Sequence, residues 1–159
     1  MPNLLVDTDP LLAHNFFLEI NGEVIAQLSS VSGLDVEVDV AEVKQTTKDG
    51  KNIMRKTLGA RNKAPDLTLE RIAAPDSTSD ALWKWFNAIY AGGMKLHDVG
   101  AQRKDGSIVL YDSTLSEIAR FNFENGWPSK ISTSGLSVEG SDPVKETITL
   151  TVEHLERVK

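Results

Sequence analysis

The chain has 159 residues, 40% of them hydrophobic, which is enough to bury one sizeable core but not two independent ones. A formal net charge of −6 disfavours a general nucleic-acid binder, and the absence of cysteine excludes disulfides, thiolate metal sites and a cysteine nucleophile. Met1 to Asp9 carry no basic n-region, and no apolar run approaches the ~20 residues of a membrane span, so cytoplasmic synthesis without signal peptide or membrane insertion is expected.

Residues 1–13 read as an N-terminal arm. Phe16-Phe17-Leu18-Glu19-Ile20 then has the composition of a strand, and Asn21-Gly22 is a two-residue hairpin signal leading into the return strand Val24–Leu28. After Ser32-Gly33, Val36, Val38 and Val40 alternate with Asp35, Glu37 and Asp39, the period-2 pattern of a strand with one wet face. Val43 falls on the parity of the acids, and a β-bulge near Ala41-Glu42 is the simplest repair.

From Lys44 to Lys63 the chain is polar and basic around Asp49-Gly50, which predicts a protruding hairpin or loop with little core. Asp66–Ile72 alternates as another strand. A helix over 78–91 follows Pro75, capped by Ser77, Thr78 or Ser79; Leu82, Phe86 and Ile89 share a face, Trp83 and Trp85 flank it, and Gly92-Gly93 stops it. Further strands are predicted around Ile108–Tyr111, Leu115–Phe123, Lys130–Ser134 and Glu146–Val152, with turns at Asp105-Gly106 and Asn125-Gly126-Trp127-Pro128. The fold class is mainly β, a small barrel or sandwich with one flanking α-helix, as a single domain over 1–159. The candidate core collects Phe16, Leu34, Leu82, Phe86, Ile89 and Trp127.

Little in the chain points to catalysis. His14, His97 and His154 lie in different elements with no metal-binding spacing, and GxSxG, Walker and Rossmann motifs are absent. Asp7-Thr8-Asp9 lacks the downstream Gly and Glu of a calcium loop. The acids Asp35, Glu37, Asp39 and Glu42 precede a basic run of Lys44, Lys48, Lys51, Arg55, Lys56, Arg61 and Lys63. That run lacks the interleaved aromatics of a single-strand nucleic-acid platform. Three readings remain: a solvated hairpin, an acid–base pair of carboxylates, or complementary surfaces that meet head to tail between copies. Trp127-Pro128 reads as a buried barrel corner, or as the mouth of a small-ligand barrel.

Phe16–Ile20 is followed by Ser30-Val31-Ser32-Gly33-Leu34-Asp35-Val36-Glu37, then Lys56-Thr57-Leu58-Gly59, then Pro65–Arg71, the helix with Leu82-Trp83-Lys84-Trp85, the corner Asn125–Lys130 and the closing strand Lys145–Leu155. In that order these segments resemble the tail-tube protein family shared by myophages, R-type pyocins and extracellular contractile injection systems. They span nearly the whole chain. The basic segment is longer and more charged than in the plainest members, and Ile72 stands where that family often has glycine.

The resemblance implies a non-enzymatic β-barrel subunit without cofactor or metal, six copies of which close into rings that stack into a hollow tube. It implies a hairpin over 38–58 that reaches the neighbouring ring, with Asp35, Glu37, Asp39, Glu42, Lys44, Lys48, Lys51, Arg55 and Lys56 as interface residues. Implied partners are other copies, a contractile sheath, baseplate and tube-terminator proteins, and a protein or DNA cargo in the lumen. Assembly would occur in the cytoplasm and release by lysis. A tube initiator or baseplate adaptor of the same fold, and the related type VI secretion tube, are the near alternatives.

Overall fold

A computed structural model describes residues 13–91 and 102–159. The arm up to Leu12, with Asp7-Thr8-Asp9, the helix stop Gly92-Gly93 and His97 lie outside these residues.

Strands β1 (Asn15–Ile20) and β2 (Glu23–Leu28) form a hairpin through Asn21-Gly22, whose φ angles of 54° and 80° are both positive. A two-residue turn of that hand matches the twist of the strands it joins, and Asn and Gly tolerate it best. Ser29 passes the chain directly into β3 (Ser30–Ser32). At Gly33 the chain turns with φ +83°, and a Cβ there would lie 2.3 Å from the Asp66 carbonyl oxygen, so only glycine fits.

Next come β4 (Glu37–Thr46) and β5 (Asn52–Lys63), which among the described residues pair only with each other, and β6 (Leu67–Ile72). Helix α1 (Ala81–Ala91) leads to β7 (Lys104–Tyr111), β8 (Glu117–Thr133), β9 (Lys145–Thr151) and β10 (His154–Arg157). Apart from β4 and β5, the strands follow the order β2-β1-β7-β8-β9-β6-β3, with β10 also on β8 and every pair antiparallel.

The long β8 takes the place of the two strands expected at Leu115–Phe123 and Lys130–Ser134. Its first half pairs with β7 and β10, and its second half, from Trp127, pairs with β9. Pro128 stays inside the strand because the register shifts between Pro128 and Lys130, where a missing N–H is tolerated. Asn125, at φ 51°, and Gly126 make the bend; a Cβ on Gly126 would lie 2.7 Å from the Phe123 ring. One strand therefore belongs to two layers, a front layer of β2, β1, β7 and β10 and a back layer of β9, β6 and β3.

Among the described strands, β2 and β3 end the order without pairing to each other. The sheet is thus not closed. Of the two architectures expected, the sandwich is the one realised.

Leu18, Leu67, Leu69, Ile108, Phe123, Ile148 and Leu150 fill the space between the layers, each 0 or 1% exposed. Each such side chain contributes about 1.5–3 kcal/mol of transfer free energy. From α1, Leu82 and Trp85 are buried, and Ile89 packs partly against the same cluster, as do Phe16, Leu34 and Trp127. Phe86 lies outside that cluster and is half-buried, with its ring edge-on to Trp83 and stacked at 5.9 Å on the exposed Tyr90. The inward stripe is therefore Leu82, Trp85 and Ile89, and the Trp85 indole N–H is satisfied by the Gln102 carbonyl at 2.7 Å.

The helix begins at Ala81, three residues later than expected. The Asp76 carboxylate accepts both the Thr78 N–H (2.8 Å) and hydroxyl (2.7 Å), holding 76–79 in a turn. Asp80 is the cap, accepting the Trp83 N–H at 3.0 Å. The same carboxylate takes a two-pronged pair of bonds from the buried Arg71 guanidinium, at 2.9 and 2.8 Å. Arg71 Nε also donates to Glu146 (3.0 Å), whose other oxygen accepts the Trp83 indole N–H (3.0 Å). Burial works against the Asp80 charge, but the Arg71 and Trp83 donors outweigh it and hold its pKa below the ordinary 3.8.

Asp80→Asn leaves Arg71 short of a charge in a buried site and is expected to cost about 3 kcal/mol at neutral pH. Because the folded pKa of Asp80 is depressed, its contribution is complete above 3.8 and fades as pH falls below that value. Urea melts of the two proteins should differ most at neutral pH and converge in acid; an equal gap at all pH values would contradict this account.

Candidate functional site

The β4–β5 ribbon leaves the back layer after Gly33 and returns at Asp66. Its tip is a turn in which the Lys51 N–H donates to the Thr47 hydroxyl oxygen (3.2 Å) and the Thr47 N–H to the Lys51 carbonyl (2.9 Å), with Gly50 at φ +73°. No other strand pairs with it among the described residues.

Register assigns its faces. Val40 lies opposite Leu58, Glu42 opposite Lys56 and Lys44 opposite Met54; on the other side Ala41 faces Thr57, Val43 faces Arg55 and Gln45 faces Ile53. Pairing is regular from Val40 to Thr46, so there is no bulge at Ala41-Glu42. The irregularity lies between Val38 and Val40, where Asp39 alone opposes the three β5 residues between Leu58 and Asn62. Gly59 makes room there, since a Cβ would meet the Asp39 carboxyl group at 2.6 Å. Val43 faces away from Val40 without any repair because neither face of the ribbon rests on a core, so no single-sided pattern is enforced.

The face read from sequence as the dry one is open: Val36, Val38 and Val40 are 62, 50 and 55% exposed, and Leu58 is 78% exposed. Met54, Val43 and Ile53 are exposed as well. These apolar members were missing from the charged set expected at the interface. Ile53-Met54 and Leu58 are the signal for them, apolar residues at strand positions inside a segment otherwise too polar to form a core.

The charged residues fall as follows. Asp35 precedes β4 and is exposed, Glu37 opens β4, and Asp39 is half-buried at the bulge. Glu42 pairs with Lys56 at 3.7 Å, both well exposed, a contact worth a few tenths of a kcal/mol at about the median for such pairs. Lys44 and Arg55 stand on opposite faces, and Lys48 and Lys51 occupy the tip. The acidic and basic runs thus face each other across one hairpin, Glu37 opposite Lys63 and Glu42 opposite Lys56. The tip, with Lys44, Lys48 and Lys51 against Asp49, is left basic.

The other expected features lie elsewhere. His14 donates its backbone N–H to Tyr111 at 2.9 Å, and the His154 ring is 3.9 Å from Glu156. Trp127 sits beneath the Arg103 guanidinium, 4.8 Å from the ring centroid. The space that a barrel would offer a ligand is filled by the core leucines, isoleucines and Phe123. The carboxylates Asp35, Glu37 and Asp39 line an open ribbon and not an enclosed site.

The sequence profile of the T4-like virus tail tube protein gp19 matches residues 12–156. Among curated proteins, none matches the chain in sequence. In structure it is similar to a chain of the PVC sheath–tube complex of an extracellular contractile injection system in its extended state, with TM-score 0.70 and 21% identity over 93% of this chain and 90% of that one. It is also similar to a chain of the PVC sheath/tube terminator, with TM-score 0.73 and 21% identity over 96% and 99%. A third similar structure is Hcp1 from Flavobacterium johnsoniae, at TM-score 0.54 and 14% identity over 91% and 95%.

Since the ribbon buries almost nothing in its own subunit, replacing Val40–Leu58 by Asn-Gly is expected to change subunit stability by less than about 1 kcal/mol. Thermal melts of monomeric protein check this. A loss of several kcal/mol would mean that the ribbon packs on the body.

Proposed function

This chain belongs to the T4-like virus tail tube protein family, a structural tube subunit, and we propose that six copies close into a ring and that such rings stack into the hollow inner tube of a contractile injection particle. The observation that carries this reading is the β4–β5 ribbon, which exposes apolar side chains on both faces and, among the described residues, has no partner strand outside itself. Ten residues of β4 reach about 33 Å at the usual strand rise, far enough to contact a neighbouring ring.

The work of such a subunit is mechanical, and it assembles without catalysing. Strands at the ends of the sheet order carry unpaired backbone groups, and ring closure removes those edges from water. Stiffness then comes from hydrogen bonds and buried area repeated around and along the tube. An outer sheath would drive the tube forward, and baseplate and terminator proteins would cap its ends. Each copy contributes a formal −6; if a substantial part of that charge lines the lumen, an anionic cargo, DNA or protein, would be repelled by the wall and slide without sticking. The particle would assemble in the cytoplasm and be released by lysis. A monomeric ligand-binding barrel is disfavoured by the open sheet and the filled interior.

Negative-stain microscopy of the purified chain, over a concentration series, is expected to reveal six-fold discs and hollow filaments. A strict monomer under all conditions would overturn the proposal. Reversing the ribbon charge with Lys48→Glu, Lys51→Glu and Arg55→Glu should shorten or abolish filaments while discs persist; filaments of normal length would remove the ribbon from the contact between rings.

A further inference from the structure

The back layer has two poles, and β6 spans the distance between them. Gly33 and Asp66, which flank the ribbon, meet at its Leu67 end. At the opposite end Ile72 pairs with Lys145, where the segment 134–144 rejoins the sheet. Six residues of strand lie between, about 20 Å.

Segment 134–144 joins β8 to β9 and is held at its root. The Ser134 N–H donates to the Lys145 carbonyl (2.8 Å), the Lys145 N–H to the Ser134 hydroxyl oxygen (3.0 Å) and the Ala73 N–H to the Val144 carbonyl (2.8 Å). Beyond that root Leu136 and Val138 stand in solvent at 76% and 105% of full exposure, beside an open concavity walled by Pro143 and Val144. The segment's own charges, Glu139 and Asp142, are both negative, and the adjacent Lys145 is drawn to Glu70 at 3.5 Å. This pole is apolar and acidic. The ribbon tip, leaving from the other pole, is apolar and basic.

Two complementary surfaces at opposite ends of one subunit cannot satisfy each other when, among the described residues, the ribbon pairs only with itself, but they generate a head-to-tail contact that repeats along an axis. We propose that segment 134–144 is the surface on which the β4–β5 ribbon of a second copy docks. Leu136 and Val138 cover the ribbon's exposed apolar side chains, and Glu139 and Asp142 face Lys44, Lys48 and Lys51. This rests on the reading of the ribbon as the contact between rings and adds the receiving surface.

The test compares the critical concentration for tube formation, measured by sedimentation, in four proteins. These are the unaltered chain, the ribbon reversal Lys48→Glu/Lys51→Glu/Arg55→Glu, the loop reversal Glu139→Lys/Asp142→Lys, and the two combined. Each reversal alone is expected to raise it about a hundredfold, and the combination to recover much of that, since opposite charges again meet. Normal assembly of the loop reversal beside a defective ribbon reversal overturns the docking surface and spares the ribbon's role. Normal assembly of the ribbon reversal overturns both. A combination no better than its parts overturns the pairing. Should a reversal fail to fold, Lys48→Cys with Val138→Cys in this cysteine-free chain decides the same question: oxidised tubes yield a ladder of linked copies if the two surfaces meet, and single chains if they do not.

Discussion

The fold depends on a single strand that must belong to two layers. β8 pairs with β7 and β10 up to Gly126 and with β9 from Trp127, so the bend at Asn125-Gly126 sets how the layers face each other. No side chain can be added at Gly126 without striking Phe123, and Phe123 is itself at the centre of the core. Bend and packing therefore enforce one another. Had the strand continued straight, Leu67, Leu69, Ile148 and Leu150 would have no opposing layer in which to bury.

On that sandwich the helix is positioned by charge as much as by hydrophobic contact. Leu82 and Trp85 supply the buried area, but many rotations of an apolar stripe on a sheet have similar energy. The Arg71–Asp80–Glu146–Trp83 network selects one, because each donor and acceptor in it is directional, with Arg71 and Glu146 buried and Asp80 and Trp83 half-buried. Desolvation makes such a network costly, and its value lies in specifying one arrangement more than in adding stability. Arg120 plays a smaller version of the part on the front layer, joining Glu117 and the buried Glu19 on β1.

The body and the ribbon obey different rules. Between the two layers of the body the large apolar side chains are covered, and the buried Arg71, Glu146 and Glu19 are paired, as in any stable domain. In the ribbon, Val38, Val40, Met54 and Leu58 remain open beside exposed ions, which is the composition of a surface that is completed by another molecule. A tube subunit needs this division: the body must hold its shape alone, whereas the contacting parts gain most of their burial on assembly.

Much of this was legible in the residues. Asn21-Gly22 determined the first hairpin, because a two-residue turn between strands needs positive φ, which Asn and Gly adopt most readily. Alternation over Asp66–Ile72 determined which side chains of that strand point inward, since period 2 leaves no other choice on a strand with one buried face. The hairpin beyond Gly33 and the sequence of family segments were likewise readable. What only the tertiary structure decided concerns contacts between distant residues. Asp80 became the helix cap, in preference to Ser77, Thr78 or Ser79, through Arg71, nine positions away, and Glu146, which no local pattern connects to it. Pro128 could remain inside a strand because the partner β9 shifts register there. Val36, Val38 and Val40 alternate as a buried face would, yet they are exposed, because periodicity records that a face is apolar and says nothing of whether its cover lies in the same chain.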